Sequence, residues 1–324
     1  MAGFSIKVPE DYSGAERLDK YVASLPDGMN RSKLKAGLCS ITVNGRNQKI
    51  SYKVKPRDEI YIQWEDNVPD DIEPENIPLD IIFENDDVLV INKKQGMVTH
   101  PAAGNWSGTL VNALLYYLGR QKIHQDKTSG GQEALVRCRP GIVHRLDKDT
   151  SGIIITAKNR DAEEFLSREF KSHRGIVKEY ICICQGRPQF STGIIKTGMI
   201  RDVRDRQRFK AVEELSQGKL AVSVYKCIAC YGDYSLMKVR IKTGRTHQIR
   251  VHMRYLNCPV LGDPIYSKGD RLFPKATLML HSRYLKIKLP GSNEPAVFKT
   301  ETPERFKKVL AVLHKKYSKT ILSD

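Results

Sequence analysis

The chain has 324 residues, 40% of them hydrophobic and 28% charged, with 54 Lys and Arg against 37 Asp and Glu, a net charge of +17. That length can bury a sizeable core and suits two domains of about 100–200 residues, and no stretch approaches the about 18 uninterrupted apolar residues of a membrane span. The start, MAGFSIKVPEDYSG, has no basic segment running into an apolar one, so it reads against a secretory signal and for a cytoplasmic location.

The positive excess is unevenly spread. Residues 16–60 hold ten Lys and Arg against five Asp and Glu, and residues 65–87 hold ten Asp and Glu with no Lys or Arg. In the first segment, ERLDKYVASL places apolar residues at 18, 21, 22 and 25, a helical spacing. Asn30 can cap a second short helix, RSKLKAGL, where Arg31, Lys33 and Lys35 cluster near an N-terminus that itself attracts phosphate. ITVNGRNQKISYKVKPRDEIYIQW then alternates as strands around an Asn-Gly turn at 44–45. The acidic stretch carries prolines at 69, 74 and 78 and reads as a linker, with the domain boundary near residue 75.

Beyond it, DVLVINKK reads as a strand, TLVNALLYYLG as an amphipathic helix, and GIIITAKN as a strand followed by the helix DAEEFLSREFKS. VKEYICICQG, KLAVSVYKCIACYGDY and YSLMKVRIKTG are strands, THQIRVHMRYL is a helix, and LMLHSRYLKIKLP is a further strand. Hairpin-like runs outnumber strand–helix–strand crossovers, which favours an α+β fold with a mixed, mostly antiparallel sheet and flanking helices. Segments 120–140 and 198–218 are polar, poorly periodic and basic, and read as RNA-contacting insertions. The seven cysteines do not suggest a disulfide framework. Cys182 and Cys184 would share one strand face and Cys227 and Cys230 would point to opposite faces, so all four read as core hydrophobes and no metal is expected.

Two constellations could carry chemistry. GIVHRLDKDTSGIIITAKN (141–159) sets Asp147 and Asp149 among His144, Arg145 and Lys148 between two apolar runs. Asp149 belongs to the turn Asp149-Thr150-Ser151-Gly152, where an Asx-type bond is its ordinary role. Asp147 precedes the turn, and a carboxylate near a strand end beside cations can act as nucleophile or base. Glycosidase carboxyls flank the scissile bond from opposite sides, so two neighbours on one turn suit that chemistry poorly. In KTGRTHQIRVHMR (242–254), Gly244 permits a tight turn and Arg245 sits where a strand gives way to a helix. His247 and His252 are five apart, not the four that aligns two ligands on one helical face, which argues against zinc. Arg250 and Arg254 lie on a basic face that either is solvated or meets phosphate.

Together these blocks resemble the bacterial ribosomal RNA pseudouridine synthases of the large-subunit type that carry an N-terminal S4 domain. The resemblance spans nearly the whole chain: HRLDKDTSG at 144–152, TGRTHQIRVH at 243–252, KEY at 178–180 and NKKQGMVTHPAAGN at 92–105 follow in the family's order. RLDKYVAS with NRSKLKAGLCSITVNG resembles the S4 RNA-binding module, which implies an S4 domain over 15–75 and a catalytic domain over 76–324. LGDPIY at 261–266 and HPAAGN at 100–105 are most similar to the branch acting on helix 69 of 23S RNA. The chain departs from the family at Lys93-Lys94, where Lys-Pro is usual, and at Leu289-Pro290, where His-Pro is usual.

The resemblance implies isomerisation of uridine to pseudouridine without cofactor or metal. Asp147 would be the catalyst, Arg245 its ionic partner, and Tyr180 a stacking surface for the flipped base and a participant in C5 deprotonation. Ile241 would supply an apolar wall, Arg145 would fill the vacated stack, and His144, His247 and Arg250 would contact substrate. Arg31, Lys33 and Lys35 would hold RNA. The partner would be 23S RNA, in its helix 69 region, or an assembling large subunit, met by a monomer away from membranes. The alternative is a catalytically silent RNA-binding assembly factor.

Overall fold

The computed structural model describes residues 2–25, 39–64, 71–102, 105–119, 123–124, 141–172, 175–203, 205 and 207–317. The chain divides into two compact units, Met1–Pro69 and Asp70–Asp324.

In the first unit, β1 (Ala2–Lys7), β2 (Cys39–Val43), β3 (Arg46–Asn47) and β4 (Glu59–Trp64) form an antiparallel sheet in the order β1-β4-β2-β3. Helix α1 (Leu18–Ser24) packs Leu18, Tyr21 and Val22 against Ile41, Val43, Ile60 and Ile62. Asn44 and Gly45 both adopt positive φ, 51° and 74°, the backbone that a tight two-residue hairpin turn needs. Asn44 also locks the turn, donating Nδ2 to Asp58 at 2.9 Å and accepting from Glu59 N at 2.9 Å. Arg31, Lys33 and Lys35 lie outside the described residues.

The second unit begins inside the stretch expected to be a free linker. Short strand β5 (Asp71–Ile72) pairs with β8 (Ile123–His124), and β6 (Ile81–Glu84) is a strand of the main sheet. The Glu75 carboxylate accepts from Gly108 N, and the Glu73 carbonyl accepts from Asn112 Nδ2 at 2.8 Å. Part of the acidic run is therefore built into this unit, where its carboxylates and carbonyls serve as acceptors.

The main sheet continues with β7 (Val88–Lys93), β9 (Ser151–Ala157), β10 (Val177–Gln185), β11 (Thr192–Arg201), β12 (Phe209–Val212), β13 (Lys219–Tyr231), β14 (Tyr234–Ile241), β15 (Leu280–Lys288) and β16 (Pro295–Lys299). Its ten strands run β12-β11-β13-β14-β10-β15-β9-β7-β6, with β16 also on β15. Every pairing is antiparallel except β15 with β9, which meet only at His281–Ser151 and Ser282–Gly152. The fold is therefore α+β with a large, mostly antiparallel sheet.

The apolar runs of β7 and β9 are buried on both faces. Leu89, Ile91 and Ile154 face one core beneath α2 (Leu110–Tyr117), while Val88, Val90, Ile153 and Ile155 face another beneath α3 (Arg160–Ser172). Thr109 caps α2 in a reciprocal capping box with Asn112. Helix α4 (Gln248–Tyr255) follows β14, and α5 (Glu304–Lys316) packs Phe306, Val309 and Leu313 into the first core.

Two expectations are corrected. The stretch 198–218 is not irregular: it contains the end of β11 and all of β12. Cys227 and Cys230 do not face apart, because a bulge between Cys227 and Ala229 turns both to one side, Sγ to Sγ 3.6 Å. Cys182 and Cys184 share a face at the same separation, and with Cys258 all five are buried in the apolar core. Burial pushes Cys227 up to about 12 and Cys258 up to about 11, the behaviour of inert core thiols.

Candidate active site

Asp147 stands in the loop that leads into β9. Two glycines bracket this loop because no side chain fits there. Gly141 and Gly152 have φ of 68° and 110°, and a Cβ would sit 1.8 Å from the Ala157 carbonyl oxygen and 2.1 Å from that of Ser282 respectively. Thr150 N donates to the Asp147 carbonyl at 3.1 Å to close the turn. Asp149 is tied to its surroundings through its carbonyl, which accepts from Gln95 Nε2 at 2.9 Å, and not by the Asx bond expected of its carboxylate.

The segment 93–99 clamps the loop from beneath. Gly96 N and Lys93 Nζ both donate to the Lys148 carbonyl, at 2.9 and 3.1 Å, and Thr99 Oγ1 donates to the Leu146 carbonyl at 3.0 Å. Lys93 is 1% exposed and also donates to the carbonyls of Lys94 and Met97. Burial pulls its ammonium down to about 8, against the nearby charges of Asp147 and Asp149, which raise it.

Above the loop lies a cavity of roughly 100 Å³. Leu146, Tyr180, Ile241 and Leu280 supply its apolar walls, and Arg145, Asp147, Arg245, His247 and Arg250 also line it. Tyr180 is on β10 and Ile241 ends β14, two adjacent strands of the sheet. Burial pushes the Tyr180 hydroxyl up to about 12, with a Ser282 hydrogen bond acting the other way, so it is a neutral phenol near pH 7.

The ionic partner of Asp147 is Arg250, Nη1 to Oδ2 at 3.4 Å. Arg245, the residue expected in that role, lines the cavity but donates Nε to the Leu220 carbonyl at 2.9 Å. Nor is Arg250 on a solvated face: its side chain is 5% exposed, and it grips the wholly buried Asp263 through Nε at 2.7 Å and Nη2 at 2.8 Å. Burial alone would lower the Arg250 pKa, but the bonds and charge of Asp263, then of Asp147, hold it above the ordinary value. The guanidinium also stacks over Tyr266, 5.2 Å from the ring centre.

The turn into α4 is organised by Gln248, which is 3% exposed. Its Oε1 accepts from Thr243 Oγ1 and Arg245 N, and its Nε2 donates to the Val222 carbonyl and Ser223 Oγ. His247 caps the helix in the left-handed region, φ 57°, with Nδ1 2.9 Å from Tyr266 Oη. His252 is buried between Ser223 Oγ (2.8 Å) and Thr197 Oγ1 (3.1 Å) and pins α4 to the sheet.

His144 does not line the cavity. Its Nε2 accepts from Ile155 N at 2.9 Å and its ring stacks on Phe170 at 4.5 Å, so it serves the core beneath the loop. Asp263, Gln248, Lys93 and Tyr266 escape a reading from sequence. The one available signal for Asp263 is its place in LGDPIY, a lone acid between apolar pairs.

Burial, then the Lys178 charge, pushes His144 down to about 3; burial alone takes His252 to about 4, and burial followed by Arg305 takes His281 to about 4. Below pH 6.5 the unfolded chain takes up protons that the fold refuses, so stability falls as pH drops from about 6.5 towards 4. Each histidine contributes at most about 1.4 kcal/mol per pH unit. Denaturant unfolding across this range should show that decline, and His252→Gln should make it shallower by about one proton. Equal slopes would contradict the assignment.

Residues 87–255 match the family described as RNA pseudouridylate synthase. The ribosomal large subunit pseudouridine synthase D of Borreliella burgdorferi is 38% identical, over 98% of this chain and 97% of its own. Its namesake from Zymomonas mobilis is 37% identical, over 89% and 90%. Among solved structures, human RNA Pseudouridylate Synthase Domain Containing 1 superposes with a TM-score of 0.55 at 28% identity, over 76% of this chain and 91% of that one. With a family match over more than half of its length and relatives of this identity along nearly all of it, the chain belongs to the RNA pseudouridine synthase family.

Proposed function

We propose that the protein converts specific uridines of large-subunit ribosomal RNA to pseudouridine, with Asp147 as the catalytic group. The observation that carries this reading is the placement of Asp147. It is the carboxylate lining the apolar cavity, 3.4 Å from a buried guanidinium. The names of the Borreliella and Zymomonas relatives support the large-subunit substrate.

In this reading the uridine leaves its stack, at a cost of a few kcal/mol, and enters the cavity. Tyr180 and Ile241 meet the faces of the uracil. Asp147 either attacks C1′ or removes the 2′ proton to give a glycal. The N1–C1′ bond breaks, the ring turns, C5 joins C1′ as the Asp147 carboxylate leaves C1′ or returns the 2′ proton, and the proton lost from C5 is balanced by one taken up at N1. The reaction is an isomerisation and calls for no cofactor. Arg250 holds Asp147 at the rim, Arg245 and His247 stand where the ribose and its phosphates would lie, and exposed Arg145 is placed to enter the vacated stack.

The first unit is read as an S4 RNA-binding domain that adds affinity and orientation through phosphate and shape contacts. Helix 69 of 23S RNA is the proposed target region, the cytoplasm the proposed location and a monomer the proposed state. Among the described residues no helix is long and apolar enough to cross a membrane. Pseudouridine mapping of ribosomal RNA from cells with and without the gene tests the proposal. Modifications confined to helix 69 should vanish on deletion; an unchanged map of the large-subunit RNA would refute it.

A further inference from the structure

A second concavity, of roughly 800 Å³, lies along a neighbouring face of α4. Arg208, Phe209 and Lys210 form one wall at β12, Arg254 and Tyr255 of α4 form another, and Lys268 stands at its edge. Asp202 is the one carboxylate among its described lining residues, and Lys210 pairs with it at 2.9 Å. Arg208 pairs with Asp205 at 3.1 Å and remains exposed, as do Arg254 and Lys268. Tyr255, 42% exposed, anchors its hydroxyl on Glu213 at 3.1 Å and leaves its ring available.

This groove adjoins the catalytic cavity, with the Phe209 ring edge-on to His247 at 5.8 Å and Tyr266 touching residues of both. The Tyr266 hydroxyl accepts from Phe209 N at 2.8 Å and lies 2.9 Å from His247 Nδ1, while its carbonyl accepts from Arg254 Nη1 at 3.0 Å. Its ring carries the Arg250 guanidinium that holds Asp147. Tyr266 thus lines the basic, aromatic-bearing groove and touches His247 and Arg250, two residues of the catalytic cavity.

A polynucleotide with one base turned into the cavity must lead its backbone away past α4. Basic side chains along a groove with an exposed aromatic are the means by which single strands are held, phosphates by charge and bases by stacking. The volume suits about one or two nucleotides. We propose that this groove carries the RNA strand flanking the modified uridine. Arg208, Arg254 and Lys268 meet its phosphates, and Tyr255 offers a face to an unpaired base. The inference rests on the cavity being the uridine site.

The test uses the full chain and an unmodified full-length 23S RNA transcript tritiated at uridine C5. A double variant, Arg208→Gln with Lys268→Glu, spares Arg254 because that residue holds Tyr266. It should lower kcat/KM for tritium release on the order of tenfold and make the salt dependence shallower by about two phosphate contacts, with kcat within about twofold. Tyr255→Ala should raise KM without changing the salt slope. The double substitution made in an Asp147→Asn background should weaken filter binding of the transcript by the same factor. Unchanged affinity and salt slope would overturn the proposal. So would a defect seen only on large-subunit precursor particles, which would assign the groove to a protein. Turnover by Asp147→Asn would strike instead at the cavity reading, leaving the groove to be judged on binding.

Discussion

Asp263→Asn is expected to destabilise the second unit by about 3–5 kcal/mol and to abolish most turnover, although Asp263 lies behind the cavity wall. The change removes the negative charge beside a buried guanidinium and sets an amide NH2 against its Nε donor where Oδ2 accepted, leaving Asp147 at 3.4 Å as its remaining carboxylate partner among the described residues. Breaking a buried pair by removing one partner costs that much because the survivor's charge stays unsolvated. Asparagine can still accept from Ile265 N and Tyr266 N, as Asp263 Oδ1 does, so the local turn should persist. Arg250→Met should cost a similar amount by stranding Asp263. The double variant Arg250→Met with Asp263→Asn removes both charges and should recover most of the stability in a urea titration. Its turnover should stay at least about 100-fold down, since Asp147 then loses the ionic partner it has among the described residues. Additive losses in the double variant would show that the two residues do not act as a pair.

Asp147→Asn should have the opposite profile, with folding intact and chemistry gone. Its side chain is 21% exposed, and asparagine is close to isosteric, so no cavity or orphaned core charge results. The loop is held by the carbonyls of residues 146, 148 and 149 and by the two glycines, none of which involves the 147 carboxylate. An amide can neither attack C1′ nor take up a 2′ proton, and removal of such a group typically costs about 10⁴-fold or more. RNA affinity should change little, because it is distributed over phosphate contacts elsewhere. Thermal unfolding and filter binding beside wild type would check this separation.

Much of this was legible in sequence where the information is local. The strand runs of β7, β9 and β10 announce themselves by β-branched residues, and the loop around Asp147 by its flanking glycines and turn residues. The Asn44-Gly45 hairpin follows from the φ that its residues tolerate. What stayed hidden depends on contacts distant along the chain. Lys93 reaches across 55 positions to the Lys148 carbonyl, and the pairing of Arg250 with Asp263 depends on a loop folding back over α4. Arg245 and Arg250 look alike as cations on one basic segment; only the fold sends one to Asp147 and the other to a backbone carbonyl. Spacing misled at Cys227 and Cys230, where one bulged residue reverses the expected faces. The strand β11, TGIIKTGMIR, carries two glycines and a lysine within its run, and its burial alternates over its first half but not its second.

The two carboxylates at 147 and 149 offer the sharpest test, because they stand in unlike surroundings. Asp147 lines the cavity and faces Arg250, whereas Asp149 is held through its carbonyl by Gln95. Release of tritium from C5-labelled 23S RNA should be measured for Asp147→Asn and Asp149→Asn side by side under single-turnover conditions. No detectable release is expected from the first, and release within about tenfold of wild type from the second. Near wild-type release from Asp147→Asn would contradict this expectation.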